Sequence, residues 1–279
     1  MVGFILVVFS AFTHSCWNML LKKSNNKYIF NYQMHLVNLF VFTIVVGFFF
    51  RDSLFLDLKT ISFGLMAAVC FTLYHLCLSS SYNLTDASLA YPITTASPLL
   101  VVIWARLFIG EKVTSFGLFG ILIILIGVMI IHSTKTKISL DTKGITFAVL
   151  SAMFYSFGAI VDKFGVSDRS FMLYVYSLVI FMTLFLTIQA KLRYKNHLVE
   201  FSKNKMYVLI GGVIIFMSFL SYRLGLIYMN VSYATSLRQI NAVFGVLLGI
   251  YFLKEKLYFR RVVGAIIIFL GAFIIKLNI

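Results

Sequence analysis

A single arginine, Arg238, lies inside a long apolar segment at residues 231–253. A charge near the centre of a bilayer costs roughly 2.5–3.5 kcal/mol on insertion scales, so such a residue usually faces a water-filled cavity or an opposite charge. A guanidinium presents a fork of N–H donors that suits carboxylate or phosphate oxygens, and Asn241 follows one turn later on nearly the same face. The segment therefore predicts either a site for an anionic solute or an intramembrane ion pair with Asp86 or Asp162.

The first apolar segment places three more polar or aromatic side chains on one helical face. His14, Trp17 and Asn18 are spaced i, i+3 and i+4, so they project from the same side of a helix. We predict that they line a solute cavity. In the alternative interpretation, His14 and Asn18 bond neighbouring helices while Trp17 packs near a membrane interface.

A matching stripe on the segment at residues 144–163 carries Tyr155 and Asp162. Tyr155 aligns with His14 in an internal repeat described below, so the two faces are expected to confront each other. Asp162 is a candidate for binding a proton or another ion. The alternative is a solvated ion pair with the adjacent Lys163.

Three further side chains complete the candidate set. Arg223 is nearer the end of its segment, where a long side chain can reach the membrane surface. His75 lies midway along its segment and either contributes to binding or forms a buried hydrogen bond. Tyr91 precedes the first of the only two prolines, Pro92 and Pro98, and each proline removes a backbone hydrogen bond. A kinked helix with exposed carbonyl groups, suited to a cavity wall, is predicted there.

The elements that position these residues are membrane spans. The 279 residues are 61% hydrophobic and only 12% charged, with a mean hydropathy of +0.98, far from the composition of soluble domains. A spanning helix needs roughly 20 mostly apolar residues, and the N-terminal segment reads as a retained span rather than a removable signal peptide. The sequence predicts an all-α integral membrane protein with ten transmembrane helices near residues 2–21, 30–50, 60–81, 86–109, 113–132, 144–163, 170–190, 206–229, 231–253 and 257–277. The weakest boundary is between the eighth and ninth spans, because no charge separates them.

The second half of the chain repeats the first. Residues 86–131 align without a gap with residues 230–275, at a constant offset of 144, and Glu111-Lys112 falls on Glu255-Lys256. The first and sixth spans align at an offset of 141, which places Lys22 on Lys163. Because the repeat contains five helices, the second copy must enter the membrane from the opposite side. Inverted repeats of this kind are typical of secondary transporters.

The net charge of +15 comes mainly from short loops, which is typical of a membrane protein and not of a nucleic-acid-binding surface. Fifteen Lys and Arg residues follow spans one, five, seven and nine, which share one end of the bundle. The charge bias predicts that this end is cytoplasmic and that both termini lie outside. Gly245 and Gly249 form a G-x-x-x-G pattern that favours packing between spans, with dimerisation as a minor alternative. We expect a monomer or homodimer in the cell (inner or plasma) membrane, with a small solute and the lipid bilayer, but no nucleic acid, as partners.

No motif supports a soluble energy source or a catalytic centre. The sequence has no G-x-x-x-x-G-K-[ST] loop, no HExxH and no paired carboxylates or nucleophile motif. Cys16, Cys70 and Cys77 lack the spacing of metal ligands, so neither a metal nor a cofactor is expected. Solute transport driven by a gradient is predicted, and an integral membrane enzyme acting on a membrane-embedded substrate is the alternative.

The chain resembles the drug/metabolite transporter superfamily, specifically its ten-span EamA branch, over essentially its full length. In the first half the resemblance rests on Ala87-Ser88-Leu89-Ala90-Tyr91-Pro92, Gly110-Glu111-Lys112, Gly120 and Gly127. In the second half it rests on Val231-Ser232-Tyr233-Ala234, Glu255-Lys256, Gly264 and Gly271.

The resemblance implies two EamA repeats, at residues 1–134 and 140–279, and alternating access around a central cavity. Spans one, three, four, six, eight and nine would line the cavity, and spans five and ten would be peripheral. Many members are thought to have cytoplasmic termini, opposite to the charge count. Since Arg238, Arg223 and the histidines outnumber acids at depth, an amino acid, a carboxylate or a phosphonate-like compound is the expected solute, with Asp162 as the candidate coupling residue.

Overall fold

The computed structural model describes residues 1–51, 57–85, 87–132, 141–167, 170–193, 199–254, 256 and 258–279, without the side chains of residues 87, 88, 91, 199, 200 and 202. Within these ranges the chain is helical and has no strand. The helices are α1 (Val2–Lys23), α2 (Lys27–Phe49), α3 (Leu58–Leu84), α4 (Ala87–Thr95), α5 (Ser97–Trp104), α6 (Ser115–His132), α7 (Thr142–Val166), α8 (Phe171–Arg193), α9 (Val199–Ile227), α10 (Val231–Leu237), α11 (Asn241–Leu253) and α12 (Phe259–Lys276). A π-helical turn, Ala105–Ile109, extends α5, and a 3₁₀ turn, Arg238–Ile240, joins α10 to α11.

The helices confirm the predicted all-α membrane architecture. Nine segments of the described chain are long and apolar enough to cross a bilayer, with α4–α5 and α10–α11 each forming one span. The tenth span, α12, has 18 residues and carries Arg260, Arg261 and Lys276 near its ends. Helices suit this environment because they satisfy every backbone hydrogen bond within the segment.

Helix packing follows the inverted repeat. The fifth span, α6, packs along the tenth, α12. The contact of α3 with α7 has its counterpart in that of α9 with α1, and the contact of α2 with α9 has its counterpart in that of α8 with α3. Each pair maps onto the other when first-half spans are exchanged for second-half spans. The two halves are therefore related by a pseudo-two-fold axis.

Aligned glycines allow α6 and α12 to approach closely. A Cβ atom on Gly127 would lie 2.7 Å from the Gly264 carbonyl oxygen, and one on Gly264 would lie 2.6 Å from that of Gly127. Gly120 and Gly271 face each other in the same reciprocal way, at 3.1 and 2.7 Å. Small residues let helix backbones meet in a membrane, so the glycines that revealed the repeat also hold its halves together.

The G-x-x-x-G pattern in the ninth span does not act in this way at Gly245. Gly245 is exposed, and a Cβ atom there would meet nothing within 4 Å in the described chain. The prediction that this glycine packs between spans is therefore wrong.

The fourth span of each half is broken near its middle. In the first half the break falls at Ala96, between α4, which contains Pro92, and α5, which has Pro98 in its first turn. In the second half it falls at the 3₁₀ turn that ends at Ile240, 144 residues after Ala96. The predicted proline kink is confirmed, and the second half reaches the same geometry without proline.

The bundle has two distinct ends. We call the end where α1 meets α2, α6 meets α7, α8 meets α9 and α11 meets α12 the basic end, because those of the fifteen Lys and Arg residues that the structure describes lie there. The other end, which carries both chain termini, is the terminal end.

Candidate functional site

The two broken spans meet the first and sixth spans at the centre of the bundle. At the break in the ninth span, the Ser15 hydroxyl of α1 donates a 2.7 Å hydrogen bond to the Asn241 carbonyl. The bond joins α1 to the first turn of α11. Asn241 therefore contributes its backbone to this junction, and its side chain is partly exposed.

Arg238 lies on the 3₁₀ turn, where the helix break turns its side chain toward the centre. Its guanidinium carbon is 4.4 Å from the centroid of the Tyr222 ring, and the guanidinium interacts electrostatically with the Tyr155 hydroxyl. Its side chain is partly exposed and has no carboxylate partner among the described residues. The predicted pairing with Asp162 is wrong, and Asp86 lies outside the described residues.

The predicted stripe on α1 faces this arginine. His14 interacts electrostatically with Arg238 and with His75 of α3. Its ring packs edge-on against Trp17, with centroids 4.9 Å apart. Trp17 is 5% exposed and packs between the rings of His14 and His35. Asn18 is exposed on the same side of α1 as His14.

Tyr155 of α7 closes the opposite wall. Its ring packs against Tyr74, 5.2 Å away, and against Phe71, 6.1 Å away. His75 packs on Tyr74 at 4.6 Å. The structure thus brings His14, His75, Tyr155 and Arg238 together around one space, as the sequence predicted for residues on facing helices.

Arg223 and Asp162 form a separate, closed unit. Asp162 is 0% exposed and accepts two hydrogen bonds from Arg223, 3.0 Å from Nε to Oδ1 and 3.1 Å from Nη2 to Oδ2. The Tyr174 hydroxyl donates to the same carboxylate. Arg223 is 3% exposed, so neither its predicted extension to the membrane surface nor a solvated pair between Asp162 and Lys163 is found.

Tyr91 is the remaining candidate from the sequence. Tyr91 lies on α4, but its side chain is outside the described residues. Its proposed solute contact stays a prediction.

The sequence analysis missed several residues that shape the site. Tyr222 lies under Arg238, and Phe219 packs against both Arg223 and His35. His35 also packs against Trp17, with centroids 5.8 Å apart. A signal for His35 was present in the second span, because Asn31, His35 and Asn38 recur at i, i+4 and i+7 on one helical face.

The residues around the central space differ in exposure between the two ends of the bundle. On α3, Ser79 and Tyr82 lie one and two turns beyond His75 on its face, and both are exposed. On the same face toward the terminal end, Ala68 is buried. Every residue of α10, which lies between Arg238 and the terminal end, is buried as well. Among the described residues, the α3 face beyond His75 is therefore exposed toward the basic end, whereas α10 is buried toward the terminal end.

No metal-binding cluster of three or more His, Cys, Asp or Glu side chains occurs in the part of the chain that the structure describes. The polar groups that face the cavity are instead suited to hydrogen-bonding a small solute.

Comparisons with known proteins agree with this architecture. The sequence matches the family model described as the EamA-like transporter family twice, at residues 1–133 and 142–277. A crystal structure of another protein, whose description gives no function, superposes with a TM-score of 0.74 and covers 99% of this chain and 96% of its own chain. At 14% identity, that likeness shows a shared fold. No curated protein matches the chain.

Proposed function

Because the chain belongs to the EamA-like transporter family, we propose that it is a secondary active transporter of a small polar metabolite that works by alternating access. The solute is an anion or a zwitterion, such as an amino acid, a carboxylate or a phosphonate-like compound, and the membrane is the cell membrane. The pseudo-two-fold halves and the difference in exposure between the two ends support this mechanism, because exchanging the conformations of the halves would exchange the accessible end.

The observation that carries the proposal is the uncompensated charge of Arg238. Nothing among the described residues supplies it with a carboxylate, whereas the more buried Arg223 is neutralised by Asp162. A partly exposed guanidinium in a membrane interior favours an anionic group at that point. Its planar donors can bind two oxygens of a carboxylate or phosphonate at once.

The surroundings of Arg238 assign roles to its neighbours. The ring of Tyr222 packs against the guanidinium, and Tyr155 of α7 interacts with it electrostatically. His14 and His75 face the same space and can hydrogen-bond the uncharged polar part of the solute. Trp17 fixes His14 from behind.

The proposal can be tested by replacing Arg238 with leucine and screening the purified protein by thermal shift against amino acids, carboxylates and phosphonates. A ligand that binds only the folded state raises the unfolding temperature. We expect at least one compound to stabilise the wild-type protein and Arg238→Leu to lose that stabilisation.

Arg106 provides the matched control, because it is exposed on the π turn at the terminal end. Arg106→Leu removes the same charge outside the cavity and is expected to keep the ligand response. If Arg238→Leu keeps the ligand-induced rise in unfolding temperature and transports the same compound at an unchanged rate in proteoliposomes, Arg238 does not bind the solute.

A further inference from the structure

The corner between α9 and α10 at the terminal end is held by a carboxylate from the other half of the molecule. Glu111, in the turn before α6, accepts hydrogen bonds from the backbone N–H groups of Val231 (2.7 Å) and Ser232 (3.3 Å), and from the Ser232 hydroxyl (2.8 Å). A carboxylate at a helix N-terminus satisfies free N–H groups and complements the helix dipole. Glu111 therefore caps α10 across the boundary between the two halves.

The end of α9 on the other side of this corner is capped by a cation. The Lys163 ammonium of α7 donates to the carbonyl oxygens of Leu226 (2.6 Å) and Met229 (3.0 Å). It also interacts electrostatically with Glu111. One acid and one base thus hold both helix ends at the corner, each with the charge that the helix dipole favours.

Tyr233 extends the contact between the halves. Its hydroxyl accepts a 3.3 Å hydrogen bond from the Thr114 backbone N–H, and its ring lies against Gly117 with no room for a Cβ atom. Both partners belong to the turn and first residues of α6, next to Glu111. The contacts of Glu111 and Tyr233 join the two halves directly at the terminal end, so we expect them to break when α10 moves away from the turn before α6.

We propose that Glu111, together with Lys163, forms a latch that keeps the terminal end closed. Hydrogen bonds to a charged group are among the strongest that a protein forms, so the latch biases the equilibrium between the two open states. Its purpose rests on the proposed transport function, but its effect on the structure does not require a solute.

The sequence repeat offers the same pair of charges at the other end. Lys22 is the repeat counterpart of Lys163, and Glu255, which lies outside the described residues, is the counterpart of Glu111.

The latch can be tested with single reporter cysteines in purified protein in which Cys16, Cys70 and Cys77 are replaced by alanine. Ala234→Cys reports the terminal end, because Ala234 is 0% exposed on α10. Ser79→Cys reports the basic end, where Ser79 is exposed. The rate of reaction with a water-soluble methanethiosulfonate measures how often each position meets water, without any substrate.

We expect Glu111→Gln to raise the reaction rate at the Ala234→Cys reporter by roughly tenfold or more, because it removes a charge-assisted contact. The rate at the Ser79→Cys reporter should fall. Lys112→Met, which changes a neighbouring exposed charge in the same turn, should leave both rates unchanged.

A folded Glu111→Gln protein whose reaction rate at the Ala234→Cys reporter equals that of the parent overturns the latch, and so does a change in the opposite direction. If Glu111→Gln does not fold, Lys163→Met and Gly117→Ala should each raise the reaction rate at the Ala234→Cys reporter instead. Lys163→Met removes the cation that caps α9, and the Cβ atom added in Gly117→Ala would displace Tyr233. If Glu111→Gln leaves the reporter rates unchanged while Arg238→Leu loses the ligand-induced rise in unfolding temperature, only the latch is overturned. If Glu111→Gln changes the rates as expected while Arg238→Leu keeps that rise, only the proposed solute site is overturned.

Discussion

Two arginines in neighbouring spans have opposite surroundings. Arg223 of α9 is 3% exposed, forms a two-point salt bridge with Asp162, and shares that carboxylate with the Tyr174 hydroxyl. Arg238 of the 3₁₀ turn is partly exposed, lies over the Tyr222 ring, and has no carboxylate partner within the described ranges. The same residue type is neutralised by the protein in one place and left charged toward the cavity in the other.

This difference separates structure from binding. A buried charge with a full set of partners contributes to holding helices together, and removing one partner leaves the other uncompensated. A partly exposed cation without a protein partner is available to a ligand. The helices α7, α8 and α9 are therefore joined by Asp162, Tyr174 and Arg223, while Arg238 is the residue that we propose for solute binding.

The largest expected effect is on the closed pair. Asp162→Asn or Arg223→Leu should each destabilise the protein by about 3–5 kcal/mol, because an uncompensated charge or polar group remains buried. Replacing both residues with leucine should restore much of that loss, since apolar pairs of similar volume often replace buried ion pairs without cost. Thermal unfolding of the purified variants in one detergent measures the comparison.

The same variants decide whether Asp162 couples transport to an ion. If Asp162 has a structural role, Asp162→Asn should lower both the unfolding temperature and the rate of solute uptake. If instead Asp162→Asn unfolds at the wild-type temperature and loses only the dependence of uptake on an ion gradient, the coupling prediction is correct and the structural one is not.

A smaller but more specific effect is expected at Arg238. Arg238→Leu should leave the unfolding temperature in the absence of ligand unchanged or raised, because it removes a charge that no described carboxylate balances. Arg238→Lys keeps the charge but loses the planar fork. Ligand affinity should therefore fall by roughly tenfold, the value of one charge-assisted hydrogen bond. A stability loss in Arg238→Leu as large as that in Arg223→Leu would erase the distinction between the two arginines.

The spans and their repeat could be predicted from the sequence because their signals are local. Apolar runs give the helices, and the fixed offset of Gly120, Gly127, Gly264 and Gly271 revealed the repeat that the α6–α12 contact then explained. The boundary between the eighth and ninth spans was the weakest in the sequence for the opposite reason. The charges that cap it, Glu111 and Lys163, come from distant parts of the chain.

The partner of Asp162 was missed for a related reason. Its neighbour Lys163 is adjacent in sequence, but successive helical residues point about 100° apart, so Lys163 reaches the end of α9 while Asp162 faces its interior. Arg223 is four residues from the end of α9, which suggested that it extends to the surface. A salt bridge across 61 positions of sequence was decided by helix packing, which no single span encodes.

The smallest expected effects are at two tyrosine hydroxyls, one for each arginine. Tyr174→Phe removes the hydrogen bond to the Asp162 carboxylate and should lower stability by about 1–3 kcal/mol, with little change in ligand affinity. Tyr155→Phe removes a contact to the Arg238 guanidinium and should weaken ligand affinity severalfold while leaving stability nearly unchanged. Measuring the unfolding temperature and the ligand response of both variants shows whether the two effects separate. If both tyrosines change the same quantity, Arg223 and Arg238 belong to one network rather than to a structural unit and a binding site.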